Sequence, residues 1–221
     1  MKETPLLEAL KREIISYDWI TILLIASFLL LVLLKVFSEN RLKGYIASYK
    51  NNGFLEIEAE KNRSFFSVFH IIYFLYSLII FSLTIFLFIN IRDSNRYPLT
   101  IESYLPILIS IVFYFLIRFS VEKALLKVYR LDNHLSFFMF SKRGYLYSFS
   151  TILFTVILLY VYGFNNSTFF LVSVYFLLAV RIVLLFLNNK KLIINKLFYF
   201  ILYICTFEII PLLVFLKNVI F

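Results

Sequence analysis

The sequence predicts an all-α protein, a polytopic bundle of about six transmembrane helices, and three observations carry that prediction. Hydrophobic residues make up 62% of the 221 positions and the mean hydropathy is +0.90, well beyond the roughly 45–50% apolar content of ordinary soluble domains. The apolar residues are gathered into runs of about 20, the length a helix needs to cross a hydrocarbon core at about 1.5 Å per residue. The basic residues fall mainly in alternate connections between those runs. No internal repeat, domain linker or low-complexity tract is evident, so one domain covering 19–217 is the economical reading.

Residues 1–18 have the spacing of an interfacial amphipathic helix. Leu6, Leu7, Leu10, Ile14 and Tyr17 share a face, with Glu3, Glu8, Lys11, Arg12 and Glu13 elsewhere. A solvated tail is the plainer alternative. Four acids against three bases, with no small-residue cleavage site, argue against a secretory signal.

The first span is expected at 19–37, with Trp19 as an interfacial anchor and Lys35 snorkelling from the other end. A long loop, 38–64, follows. It has room for a helical turn or two over 41–50 and a stop signal at Asn51-Asn52-Gly53. The second span is 65–91, on which Ser67, His70, Ser77 and Thr84 form one stripe that should face the bundle. The third is 104–119, with Pro106 expected in its first turn, and it continues as a basic amphipathic stretch over 121–130. Residues 131–144 are expected to return along the membrane surface as a loop carrying His134, Lys142 and Arg143. The fourth and fifth spans are 145–162 and 168–187, and the sixth is 192–217.

The first, third and fifth loops, counted with Arg118 and Lys196 at the helix ends beside them, hold fourteen of the 22 Lys and Arg residues, against six in the tails and the other connections. The positive-inside rule therefore places those loops in the cytoplasm and both termini in the periplasm. A net charge of +9 distributed in this way fits a lipid surface. It gives no reason to expect nucleic acid.

Chemistry-bearing groups are few. One cysteine, Cys205, excludes an internal disulfide, and no metal-ligand spacing, phosphate loop or nucleophile elbow is present. No cofactor is expected. His134 sits beside Asp132 and Asn133 and reads as solvated. His70 is expected to face the bundle, satisfied by Tyr or Ser, with a proton-relay or ligand role as the alternative. The sixth span carries Glu208 near its middle and Pro211 three residues on. A charged residue at that depth costs roughly 2.5–3.5 kcal/mol, so Glu208 should face protein or water. Arg181 is the obvious basic partner, but the two differ in depth by roughly 8–15 Å at helical rise, near the limit of one arginine side chain. A protonated Glu208, donating to a carbonyl loosened by Pro211 or to Ser77, is the competing arrangement.

The run Tyr203-Ile204-Cys205-Thr206-Phe207-Glu208-Ile209-Ile210-Pro211, with Ser141-Lys142-Arg143-Gly144 before it, resembles a family of Bacteroidota integral membrane proteins catalogued as a domain of unknown function. The resemblance rests on a Tyr-x-x-Cys-Thr-x-Glu-x-x-Pro signature. It implies the inner membrane of a Gram-negative host and no particular activity.

These features favour a non-enzymatic inner-membrane protein, a scaffold or anchor subunit of a larger envelope complex. Its partners would be the bilayer and either other membrane subunits or a second copy. Lys123, Lys127 and Arg130 would meet anionic headgroups or an acidic partner at the cytoplasmic surface. The alternative is a small transporter or proton-coupled device using Glu208, although four glycines and no paired broken helices speak against it. A lipid-directed enzyme lacks an acidic cluster or a nucleophile–base pair.

Overall fold

A computed structural model describes residues 18–49, 53–61, 67–92, 98–129, 132–164 and 166–188. Its six α-helices are α1 (Asp18–Ile46), α2 (Gly53–Lys61), α3 (Val68–Arg92), α4 (Ile101–Tyr129), α5 (Asp132–Leu158) and α6 (Ser167–Asn188). A 3-10 turn (Ala47–Tyr49) follows α1, and a π turn (Leu159–Phe164) ends α5. No strand occurs among the described residues.

Five helices are long and apolar enough to cross a bilayer, all except α2. The expected sixth span, 192–217, lies outside the described residues, as does nearly all of the expected interfacial helix at 1–18.

The helices divide into an inner pair and an outer set. About 61% of the apolar stretch of α3 and of α5 is buried, against 22%, 11% and 17% for α1, α4 and α6. α3 packs on α1, α4 and α5, and α5 also takes α1, α2 and α6. The outer helices turn residues such as Phe28, Leu105, Phe113 and Phe176 outward, the arrangement expected where lipid rather than water is the solvent.

In α1 the helix breaks at Ser38, whose backbone is extended (φ −166°, ψ 85°). The 20 residues before the break measure about 30 Å, one hydrocarbon thickness. At the end opposite the break, Trp19 donates its indole N–H to the Leu99 carbonyl (3.1 Å) and packs on Phe86 and Tyr104. Trp19 is therefore a packing clamp between α1, α3 and α4 as well as an end marker. Pro106 sits in the second turn of α4, a turn later than expected, because the helix starts at Ile101. The Glu102 carbonyl that loses its donor lies at the exposed helix end, where water can satisfy it.

Two loop expectations are corrected. The 38–64 segment is mostly helical: α1 resumes after the break as far as Ile46, and α2 starts at Gly53 itself. Of the Asn51-Asn52-Gly53 stop signal, Gly53 is the first residue of α2, and the two asparagines lie outside the described residues. Residues 132–144 of the expected 131–144 loop are the first half of α5, so His134 lies in that helix's first turn and not in a loop. Asp132 at its start suits the positive end of the helix dipole. Lys142, expected at the surface, is only 6% exposed.

Candidate functional site

One end of the bundle gathers the break in α1, all of α2, the start of α3, the end of α4 and the start of α5. It is also the basic end. Two nine-residue segments there correspond: Arg41-Leu42-Lys43-Gly44-Tyr45-Ile46-Ala47-Ser48-Tyr49 on α1 and its turn, and Ser141-Lys142-Arg143-Gly144-Tyr145-Leu146-Tyr147-Ser148-Phe149 on α5. Both read base-Gly-Tyr-x-x-Ser.

The two segments cradle α2. A Cβ on Gly44 would clash with three carbons along one edge of the Phe54 ring, and one on Gly144 would lie 2.5 Å from a Leu55 methyl. Only glycine lets α2 approach this closely on both sides. Leu55 is fully buried, Phe54 meets the Tyr45 ring edge-on at 5.3 Å, and the Glu58 carboxylate pairs with Arg41 Nε at 3.0 Å. Glu58 is only 5% exposed, a depth at which a carboxylate needs such a partner. The Ser148 hydroxyl donates to the Ile46 carbonyl (3.1 Å), which ties the two segments together.

Beneath the cradle lies an aromatic cluster. Tyr45 packs against Phe69, His70, Tyr73 and Tyr147 at 5.6–6.1 Å between ring centroids. Tyr73 and Tyr147 stack at 4.3 Å, and His70 stacks on the other side of the cluster against Tyr147 at 6.1 Å. The Tyr147 hydroxyl donates to the His70 carbonyl (3.2 Å).

Farther into the bundle, hydroxyls join α3 to α5. Tyr73 and Thr151 share a hydrogen bond of 2.9 Å, Ser77 and Ser150 one of 3.3 Å, and Tyr76 donates to the Ser150 carbonyl (3.4 Å). Ser77 and Thr84 also donate to backbone carbonyls one turn earlier, at 2.7 Å each. The expected stripe of His70, Ser77 and Thr84 is thus buried in the inner pair.

Other sequence-nominated residues are placed as follows. Arg181 is half-buried on α6, whose far end reaches the basic end. Lys123 and Lys127 fall on the continuation of α4 beyond its apolar stretch. Glu208, Pro211 and Arg130 lie outside the described residues, and with them the question of an Arg181–Glu208 pair. Arg118, 8% exposed, donates to the Tyr114 hydroxyl (3.3 Å), and the Arg143 guanidinium lies 5.7 Å from the centre of the Phe119 ring. Among the described residues, no group of three or more His, Cys, Asp or Glu is placed to hold a metal ion.

Sequence reasoning missed the α2 cradle and the tyrosines below it. The available signal was the glycine count: four in the whole chain, two of them inside the same short pattern.

Helix length, apolar outer faces and a polar core closed between two inner helices define a multi-pass α-helical membrane protein. The chain belongs to the family described as Domain of unknown function (DUF4271), which matches residues 20–219. No curated protein and no solved structure matches the chain.

Proposed function

We infer that the protein is a non-enzymatic, multi-pass anchor or scaffold subunit of a cell-envelope complex in a bacterial inner membrane. On this reading its basic end is cytoplasmic and both termini are periplasmic. The observation that carries it is the way the inner helices use their polar groups. Tyr73, Tyr76, Ser77, Ser150, Thr151 and Tyr147 bond to one another or to backbone carbonyls, which locks α3 to α5. Hydroxyls used in this way give rigidity, which suits a part that holds other parts in register. The outer helices leave broad apolar faces, the surface that further membrane subunits or a second copy would need in addition to lipid. Neither a cofactor nor nucleic acid enters this reading.

The test is native mass spectrometry of the protein extracted from its own membrane in a mild detergent. A stoichiometric protein partner or a defined homo-oligomer supports the reading. A monomer that carries a small molecule and no partner overturns it.

A further inference from the structure

α6 is the last described helix, and its two sides differ. The side that carries Phe170 and Val174, both buried, packs on α5 and its π turn, with the Phe170 ring 4.8 Å from that of Tyr160. The opposite side turns Phe169, Val172, Phe176, Ala179 and Val183 outward, all of them exposed. Those five positions are spaced by three and four in turn, the seam along which two helices interlock at a shallow crossing angle. Phenylalanines alternate there with smaller side chains, so the stripe has knobs and hollows.

We propose that this stripe of α6 is the seat of the chain's own C-terminal segment, 192–217, lying antiparallel to α6 with Cys205 against Phe176 and Glu208 level with Val172.

The path of the chain names the occupant. Only residues 189–191 separate the end of α6 from the apolar run. From the Asn188 Cα to the Cα of residue 192 is at most about 14 Å of extended chain. A neighbouring helix axis stands about 8–10 Å away and the next one out about 16–20 Å, beyond that reach. A run that crosses the bilayer from there stands beside α6, and the outward stripe is the side that α5 leaves open. Positions equally far from the turn face one another in such a hairpin, which sets 172 opposite 208, 176 opposite 204 and 205, and 179 opposite 201. The run repeats the three-four alternation at Phe198, Ile201, Cys205, Glu208 and Leu212. Its small Cys205 then meets the large Phe176, and its larger Ile201 meets Ala179.

This seat also separates the two charges of the last spans. Arg181 shares the side of Phe170 and Val174 that faces α5, and it lies about 13 Å along the axis from the level of Val172. Glu208 stands instead beside the half-buried Ser173, whose hydroxyl is at its level. The inference rests on the part of the reading above in which 192–217 crosses the bilayer, and not on the anchor role.

The single native cysteine makes the test direct, because one introduced cysteine forms a pair with Cys205. The full chain carries Phe176→Cys, with Ile109→Cys on α4 and Ile25→Cys on α1 as controls. All three residues are exposed, about 17–20 Å from the basic end of their spans. Membranes are treated with a mild oxidant, and the pair is scored after denaturation by loss of maleimide-reactive thiol and by chain size. Phe176→Cys should lose its thiols severalfold faster than either control, within one chain. Val172→Cys, one turn away, repeats the measurement if the first variant does not accumulate. Equal rates at all positions, or a faster reaction at 109 or 25, overturn the seat. A bond between two chains overturns it too and names a second copy as the occupant. Phe221→Cys with Cys205→Ser, labelled in spheroplasts by an impermeant maleimide, tells the two failures apart. External labelling beside a failed cross-link refutes the seat alone, and protection refutes the crossing as well.

Discussion

Replacing Gly44 by alanine tests the α2 cradle with a change of sign. Gly44 lies within the helical segment that follows the Ser38 break, where alanine is favoured over glycine by about 1 kcal/mol. The added methyl, however, would enter the space of the Phe54 ring, touching three of its atoms at once. A rigid ring edge cannot turn aside as a leucine methyl can, and overpacking of this kind costs about 1–3 kcal/mol. Gly44→Ala alone should therefore destabilise by up to about 2 kcal/mol. With Phe54→Ala already in place the obstruction is gone, and the same substitution should stabilise by up to about 1 kcal/mol. The assay is reversible unfolding of the four proteins of this cycle in a fixed detergent. A Gly44→Ala that stabilises in the presence of Phe54 would refute the close approach of α2 to α1.

Three further expectations follow from the hydrogen bonds and the charge distribution. Tyr73→Phe and Thr151→Val each break the same 2.9 Å bond, so each should cost about 0.6 kcal/mol and the pair little more than one alone; fully additive losses in the same assay would show that the hydroxyls do not meet. Trp19→Phe keeps the packing on Phe86 and Tyr104 but loses the bond to Leu99, and should destabilise by about 1 kcal/mol, measured by thermal unfolding. For orientation, cysteines introduced at Lys43 and at Thr100, both exposed residues at opposite ends, should react differently with an impermeant maleimide added to spheroplasts. Labelling at 100 and protection at 43 are expected, and the reverse would invert the topology.

The long spans were legible because all-round apolar runs of about 20 residues have few other stable outcomes. The burial of His70, Ser77 and Thr84 was legible for a similar reason, since polar groups spaced by seven on such a helix must share a protein-facing stripe. Their partners were not. Which hydroxyl of α5 meets Tyr73 depends on the register of two helices 78 residues apart in sequence, and spacing within one helix carries no information about it. α2 was missed because nine residues of weak amphipathic character owe their helix to the notches at Gly44 and Gly144, a tertiary cause. The 131–144 stretch was misread because its polar start, Asp132-Asn133-His134, looks the same as a loop or as the first turn of a helix. The repeated base-Gly-Tyr-x-x-Ser pattern was present in the sequence, but two short matches a hundred residues apart gain meaning only once both are seen to hold one helix.

The most direct measurement of that arrangement is a disulfide across the cradle. With Cys205→Ser as background, Leu55→Cys and Gly144→Cys place two thiols where a leucine methyl now occupies the space above the glycine. In neutral detergent under mild oxidation the pair should cross-link rapidly and intramolecularly, and Leu55→Cys paired with Val36→Cys, at an exposed position, should not. Absence of the 55–144 cross-link, with the thiol introduced at position 55 openly labelled by maleimide, would contradict the docking of α2 between the two matching segments.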